Sequence, residues 1–358
     1  MARVVLAMSG GVDSSVAGRL LRDAGHEVIG LFMRHAVQAK TCGAGESPAH
    51  RQGCCSAADA ADARRVAELL GFPFYSVDFD EHFDRIVEYF VGEYLAGRTP
   101  NPCVVCNTWL KFGRLLEYAD GLGAEFVATG HYARLVDVGE SVPALFRGRD
   151  AGKDQAYVLF GIERSRLARV LLPVGEYQKT DIRRIAAELG LRVAGKRDSQ
   201  EVCFVPDRDH AGFIRRRRPG LDTSGEIVTT DGHVVGRHGG IERYTVGQRK
   251  GLGVAFGERR FVVRLEPESG RVVVGTREEL ARDELTACGA NWLIEPPREP
   301  FACQVKIRYR SHPAAATVEP LAADRFRVRF ETPSHGVAPG QAAVCFSGDR
   351  LLGGGWIE

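Results

Sequence analysis

The stretch Ala7-Met8-Ser9-Gly10-Gly11-Val12-Asp13-Ser14 follows a short run of strand formers, Val4-Val5-Leu6. It opens a segment whose apolar residues Val16, Leu20 and Leu21 recur at helical spacing. Strand, glycine turn and helix N-terminus in immediate succession make a phosphate-capturing geometry. Gly10 and Gly11 carry no Cβ, so the backbone can turn tightly and aim its N–H groups at an anion. The helix start adds unpaired donors and the positive end of a dipole. Ser9 and Ser14 offer hydroxyls, and Asp13 stands where Mg²⁺ would neutralise a pyrophosphate.

The stretch lacks the lysine of G-x-x-x-x-G-K-[ST] and does not fit the dinucleotide pattern G-x-G-x-x-G. S-G-G-x-D-S instead resembles the PP-loop of the ATP pyrophosphatases, which split ATP into AMP and pyrophosphate to activate an oxygen. That resemblance implies ATP and Mg²⁺ as cofactors, with residues Ala7 to Ser14 holding the nucleotide.

The remaining chain bounds the possibilities. A length of 358 residues suggests two or three domains. No apolar run is long enough to span a bilayer, so no membrane partner is expected. Met-Ala-Arg running straight into a strand does not resemble a signal peptide. A formal net charge of +2 means that a nucleic-acid partner would be met by local patches. The nine cysteines, at 42, 54, 55, 103, 106, 203, 288, 303 and 345, are odd in number and uneven in spacing. Beside a nucleotide-binding α/β half, they indicate reactive thiols in the cytoplasm, not a secreted disulfide framework.

Strand and helix patterns alternate over the first 130 residues. Strands are expected at Val28–Met33, Pro73–Val77 and Phe126–Thr129, and helices at Ala58–Leu70, Phe83–Leu95 and Lys111–Tyr118. The fold class is therefore α/β, an N-terminal doubly wound parallel sheet with ligands at its C-terminal strand ends. Met33 closes the second strand at such an end and could cover an adenine ring, although methionine there is also ordinary core. Gly130, in Thr129-Gly130-His131-Tyr132, would let a nucleotide approach the backbone. Residues 35–51 read as a loop, and Cys42, Cys54 and Cys55 complete no zinc spacing. A helix is expected over Asp181–Leu189 after Tyr177-Gln178-Lys179-Thr180. Past Pro206, short alternating runs (Gly225–Thr230, His233–Val235, Phe261–Leu265, Arg271–Val274) suggest a small β-rich central domain. Runs at Cys303–Tyr309, Ala315–Val318, Phe326–Phe330 and Ala342–Phe346 suggest a C-terminal β-barrel. The expected domains are 1–205, 206–280 and 281–358.

A second informative stretch is Asn101-Pro102-Cys103-Val104-Val105-Cys106-Asn107. Its prolines fix an extended lead-in, and Cys106 is expected just before a helix, where orphan N–H groups favour a thiolate. A thiolate is the nucleophile that sulfur chemistry requires. Cys203, before Phe204 and Val205, would alone read as core.

Eight motifs occur in order over nearly the full length: Ser9-Gly-Gly-Val-Asp-Ser14, Gly53-Cys-Cys-Ser56, Asn101-Pro-Cys-x-x-Cys-Asn107, Thr129-Gly-His-Tyr132, Lys153-Asp-Gln155, Asp198-Ser-x-x-x-Cys-Phe204, Tyr244-Thr-Val-Gly-Gln248 and Arg308-Tyr-Arg310. Together they resemble the tRNA-specific 2-thiouridylases (the MnmA/TrmU family). The resemblance implies that ATP adenylates O2 of the wobble uridine, U34, in tRNAs for lysine, glutamate and glutamine. Cys203 would carry sulfur as a persulfide, with Cys106 as the second catalytic thiol, and 2-thiouridine, AMP and pyrophosphate would result. A cysteine desulfurase or a sulfur-relay protein is implied as sulfur donor. Asn101, Pro102 and Cys103 would face the target base. His131, Lys153, Asp154, Gln155, Arg308, Tyr309 and Gln341 would contact tRNA, whose base must leave the anticodon stack to react. Arg and Lys suit phosphates, and an aromatic such as Tyr309 suits stacking. The run Arg215–Arg218 is a further candidate phosphate patch, or a solvated face.

Cys103 stands where some relatives carry an aspartate. Cys103, Cys106 and Cys203 could then hold three corners of a [4Fe–4S] cluster, one short of the usual four ligands. Two other readings account for less of the chain. A PP-loop ligase activating a carboxylate or small base explains the first 130 residues only. A non-catalytic RNA-binding protein with a relic nucleotide fold leaves the thiols without a role.

Overall fold

The computed structural model describes residues 1–35, 56–196, 202–205, 209–322 and 324–358. Cys42, Cys54, Cys55, most of the 35–51 loop and the Asp198–Glu201 turn lie outside the described residues. Two compact units are present. One comprises Met1–Arg85, Cys103–Arg208 and Asp349–Leu351, the other Ile86–Pro102, Asp209–Gly348 and Leu352–Glu358.

The first unit is built on β1 (Arg3–Ala7), β2 (Glu27–Arg34), β3 (Phe74–Asp78), β4 (Phe126–Ala128) and a short β7 (Val170–Leu171). They form one sheet in the order β3-β2-β1-β4-β7, every pairing parallel. Val4, Val5 and Leu6 are wholly buried, as in a strand covered on both faces. Strand order reverses at β1, so the crevice for a ligand opens between the C-terminal ends of β1 and β4. This is the doubly wound sheet expected from the sequence, with β7 added. Two valine and leucine residues are too short a run to show a period.

Helix α1 (Val12–Asp23) leaves β1 through the glycine turn. Helix α2 (Ala57–Leu70) starts at a capping box between Ser56 and Asp59 and stops where Gly71 takes φ 69°. Helix α3 covers Asp80–Leu95. A continuous helical run then begins as α4 (Pro102–Val105), widens into a π-helix over Cys106–Arg114 and returns to α5 (Leu115–Gly121). Cys106 therefore lies inside the run, one turn from its start, and not before a helix. The first-turn N–H groups of this run belong instead to Cys103, Val104 and Val105, since proline has none.

In the same unit β5 (Ala133–Val136) and β6 (Ala144–Arg147) form a hairpin against which Arg350 pairs. Helix α6 (Lys179–Glu188) follows.

The second unit carries helix α7 (His210–Arg217) and a four-stranded sheet of β8 (Gly225–Thr229), β9 (Val234–His238), β10 (Phe261–Glu266) and β11 (Arg271–Gly275). Its order is β10-β11-β8-β9, over a core of Ile227, Val262, Val272 and Val274. Six antiparallel strands follow: β12 (Ala281–Trp292), β13 (Phe301–Lys306), β14 (Ala314–Pro320), β15 (Phe326–His335), β16 (Ala342–Ser347) and β17 (Arg350–Ile357). They run β12-β15-β14-β13-β16-β17, and pairing of β12 with β17 closes the barrel around Val305, Val318, Phe326 and Cys345. Closure removes the exposed edges. Strand β17 escapes sequence reading because Gly353-Gly354-Gly355 sits at its centre.

Candidate active site

The turn after β1 is organised by small residues. Ser9 donates its N–H to Ser14 Oγ at 3.2 Å, and the Ser14 and Ser15 hydroxyls donate to the Gly11 carbonyl at 3.2 and 2.8 Å. No side chain caps α1, so its first-turn N–H groups remain available at the strand end. Gly10 has φ 67°, and a Cβ there would strike the Asp59 backbone. Gly130 also has a packing reason to lack a side chain. A Cβ there would lie 2.7 Å from Ser14 N and 2.8 Å from the Asp13 carbonyl carbon, so the missing side chain lets β4 abut the loop itself.

Asp13 sits in a chain of contacts. Lys179, the first residue of α6, places Nζ 2.7 Å from both carboxylate oxygens. The Tyr132 hydroxyl donates to Asp13 Oδ1 at 2.7 Å. Gln155 in turn grips Tyr132, its Oε1 accepting the Tyr132 N–H at 2.9 Å and its own N–H donating to the Tyr132 carbonyl at 2.8 Å. Asp154 accepts the N–H groups of Gly148 and Ala156 at 3.2 and 3.1 Å. Asp154 and Gln155 thus act on the geometry around the loop acid. On the other flank Lys196 donates to the Gly10 carbonyl, Asp59 and Asp62 at 2.9, 2.5 and 2.9 Å. Burial pulls the Lys196 pKa down, but the two carboxylates more than offset it and the net shift is upward.

One carboxylate and two serine hydroxyls form a hard-oxygen set. Magnesium commonly takes one or two carboxylates and completes its shell with phosphates and water, so the set fits that ion with ATP. The iron–sulfur arrangement does not fit. Among the described residues no three His, Cys, Asp or Glu side chains gather as a metal site, so Cys103, Cys106 and Cys203 do not form three cluster corners.

All three of these cysteines belong to the first unit, Cys103 exposed and Cys106 and Cys203 half-buried. Cys106 opens the π-helical stretch, a form that recurs at functional sites. Next to it Asn107 is buried, its Nδ2 donating to the Val158 carbonyl at 3.0 Å while its Oδ1 has no hydrogen-bond partner among the described residues. Cys203 occupies a turn anchored by Phe204, which packs edge-on against Phe83 at 5.7 Å. Phe83 stacks on His35 at the end of β2.

The other residues expected to touch substrate are placed as follows. His131 is buried, its Nδ1 2.7 Å from Thr129 Oγ1, and burial followed by the nearby Lys111 charge holds its pKa well below the usual histidine value. Met33 and Lys153 are half-buried. Asn101 and Pro102 are buried, and the Asn101 N–H donates to the Tyr89 hydroxyl at 3.4 Å. Burial pushes the Tyr89 pKa up to about 12, so that oxygen remains a neutral acceptor. Gln341 donates to the carbonyls of Thr99 and Pro100, both at 3.1 Å, and so fixes the lead-in to Asn101. Arg308 donates to the carbonyls of Val246 and Gly336 at 2.9 and 2.5 Å, while Tyr309 is exposed. The run at 215–218 is engaged internally, Arg215 with Glu242 and both Arg217 and Arg218 with Glu88.

Sequence reading did not assign roles to Tyr132, Lys179, Asp59 or Lys196. The only signal for Lys179 was its place in the polar Tyr177-Gln178-Lys179-Thr180 stretch at a helix start.

Residues 2–207 match the family model described as the tRNA methyl transferase HUP domain, 212–276 its PRC-barrel domain, and 282–357 the aminomethyltransferase beta-barrel domain. A protein of Rhodopirellula baltica named tRNA-specific 2-thiouridylase MnmA is 52% identical, covering 100% of this chain and 96% of that one. The protein of the same name from Geobacter metallireducens is 49% identical over 99% and 96%. Among solved structures, a 4-thiouridine synthetase–RNA complex with bound ATP aligns at TM-score 0.37 and 18% identity, covering 57% of this chain and 45% of that one.

Proposed function

The chain belongs to the family of tRNA-specific 2-thiouridylases, ATP-using tRNA sulfurtransferases of the PP-loop type, and from that premise we propose that it thiolates C2 of the wobble uridine, U34. The observation that carries this reading is the composition of the first unit. It holds the glycine turn with its acid and also Cys106 and Cys203.

Residues Ala7 to Ser14 hold the triphosphate, with Asp13 and the Ser9 and Ser14 hydroxyls available to Mg²⁺. Bound there, the ion offsets phosphate charge. O2 of the uridine attacks the α-phosphorus; an O–P bond forms, the bridging P–O bond breaks, and pyrophosphate leaves with the electron pair. C2 now carries AMP as leaving group. Cys203, charged as a persulfide by a cysteine desulfurase or a relay protein, supplies the sulfur. In one route Cys106 thiolate attacks Cys203 Sγ, closing a disulfide and expelling hydrosulfide, which displaces AMP from C2. In the other the terminal sulfur attacks C2 first and displaces AMP; Cys106 thiolate then attacks Cys203 Sγ, the sulfur on C2 leaves with the S–S electron pair as 2-thiouridine, and the same disulfide closes. Either route consumes two thiol equivalents, restored by an external thiol. The bond requires the two Cα atoms to lie within about 4.4–6.8 Å.

Asn101, Pro102 and Cys103 are assigned to the target base, and His131, Lys153, Arg308 and Tyr309 to tRNA. Asp154, Gln155 and Gln341 act through the backbone segments they hold. The tRNAs are those for lysine, glutamate and glutamine, and such a substrate places the enzyme in the cytoplasm. Residues 1–205 form the chemical domain, with 206–280 and 281–358 supporting tRNA.

The test is to incubate the full chain with ATP, a sulfur donor and unmodified tRNA. AMP and 2-thiouridine should appear in equal amounts, and only with tRNA. AMP formed at the same rate without tRNA would instead favour a ligase acting on a small carboxylate.

A further inference from the structure

We propose that Lys179 supplies the phosphate-directed cation that the glycine turn lacks, binding the β- and γ-phosphates of ATP and staying with pyrophosphate as it departs. The inference rests on the ATP reading above. The turn contains no lysine, yet an ammonium group arrives at it from 166 positions away along the chain. Its side chain is 9% exposed, its Nζ meets both oxygens of Asp13, and it lies 5.6 Å from the centre of the Tyr132 ring.

This placement is not explained by stability. Lys179 is the first residue of α6, where a cation opposes the helix dipole. A buried ion pair seldom outweighs the desolvation of its two charges. Lys196 is the contrast, for its ammonium is shared among Gly10 O, Asp59 and Asp62, which ties α2 to the loop. Lys179 faces the carboxylate that Mg²⁺ would use. An ion held by Asp13 would bring the phosphates to the same place that the Lys179 ammonium reaches. As the α–β bridging bond breaks, negative charge grows on the β-phosphate, and Lys179 stabilises it.

Titration calorimetry on the full chain with ATP, pyrophosphate and AMP, each with Mg²⁺, tests this for Lys179→Met. A charge-assisted hydrogen bond is worth about 1.5–3 kcal/mol, so ATP and pyrophosphate should each bind about 10- to 100-fold more weakly. AMP should bind within about twofold of the unmodified chain, since it lacks those phosphates. Equal losses for ATP and AMP, or no loss for ATP, would overturn the proposal. If Lys179→Met does not fold, Asp13→Asn/Lys179→Met removes the unpaired charge, and its ATP-to-AMP affinity ratio, compared with that of Asp13→Asn, is read instead. Failure of the unmodified chain to bind ATP at all would sink the ATP reading, not this one alone.

A second observation stands independently in the second unit. Arg249, Arg259 and Arg277 are exposed, none forms an ion pair among the described residues, and all line one cavity of about 600 Å³ with Arg308 and His335, where the four arginines outnumber the two carboxylates, Glu258 and Glu278. Nearby arginines are engaged by carboxylates, Arg260 by Glu258 and Glu279, Arg264 by Glu266, and Arg271 by Glu226. Arg308 is fixed in the wall by two carbonyls, and Gly247 leaves room for it, since a Cβ there would lie 2.7 Å from its guanidinium. We infer that this cavity seats backbone phosphates of the RNA substrate, whose geometry the guanidinium fork matches. The basic run obvious in the sequence, 215–218, is internally paired, and the cationic site is assembled from scattered arginines.

Here tRNA binding is measured against salt for Arg249→Gln/Arg259→Gln/Arg277→Gln and for a charge-matched control, Arg237→Gln/Arg243→Gln/Arg298→Gln. Each phosphate that is no longer neutralised should reduce the slope of log K against log salt by about 1, so the slope should fall by about 2–3 in the cavity variant and by less than about 1 in the control. Equal slopes for cavity variant and unmodified chain, or equal reductions in both variants, would overturn the inference. An unmodified chain that does not bind tRNA would overturn the tRNA reading itself.

Discussion

The Tyr132 hydroxyl donates to Asp13 Oδ1 at 2.7 Å, joining the end of β4 to the acid of the glycine turn. Gln155 holds the Tyr132 backbone through both its side chain and its N–H. The Lys153-Asp154-Gln155 motif therefore bears on the nucleotide loop through one tyrosine.

Tyr132→Phe removes a donor to a carboxylate, and Gln155→Ala leaves a buried N–H without its acceptor. Each should destabilise the chain by about 1–2 kcal/mol in urea unfolding. Because both act on one tyrosine, the double variant should depart from additivity by at least about 0.5 kcal/mol. Strict additivity would mean that the two interactions are energetically separate.

Gly130→Ala and Gly121→Ala should have opposite signs. A Cβ at 130 lies 2.7 Å from Ser14 N, whereas nothing lies within 4 Å of one at 121. The first should lower stability by about 1–3 kcal/mol and weaken ATP binding. The second, at the end of α5, should raise stability by about 0.4–1 kcal/mol. Thermal melting with and without ATP reads both.

His131 predicts a pH dependence. Its folded pKa lies well below its unfolded value of about 6.5, so the unfolded chain takes up the proton first as pH falls. The stabilising contribution is complete above about pH 6.5 and declines as pH drops from there toward the folded pKa. His131→Gln should lose less melting temperature than the unmodified chain between about pH 7 and pH 5.5. An equal loss would place the acid sensitivity elsewhere.

Cys106→Ser and Cys203→Ser should each abolish 2-thiouridine formation in nucleoside mass spectrometry while tRNA affinity stays within about twofold. AMP attached to tRNA should accumulate in both, since adenylation precedes sulfur transfer. Full thiolation by either variant would remove that cysteine from the mechanism.

What was legible in the sequence was local. The Ser9–Ser14 turn, the parallel sheet around it and the two small β modules all show in runs of a few residues, and α2 ends at Gly71 as read. What was hidden depends on interactions between distant positions. Nothing near residue 179 announces Asp13 as its partner, and nothing near Gly130 announces how closely the Asp13 and Ser14 backbone approaches it. The helix at Cys106 begins earlier than expected because Asn101-Pro102 reads equally as a loop and as a helix start, proline being well placed in a first turn. Basic residues mislead by clustering, for Arg215–Arg218 is adjacent in sequence yet internally paired, while Arg249, Arg259 and Arg277 converge only in the fold.

The most direct measurement follows one oxygen atom. A tRNA bearing ¹⁸O at O2 of its wobble uridine, incubated with the enzyme, ATP and a sulfur donor, should yield AMP whose phosphate carries one ¹⁸O for every 2-thiouridine formed. AMP free of the label, with ¹⁸O released to water, would contradict activation of the base by adenylation.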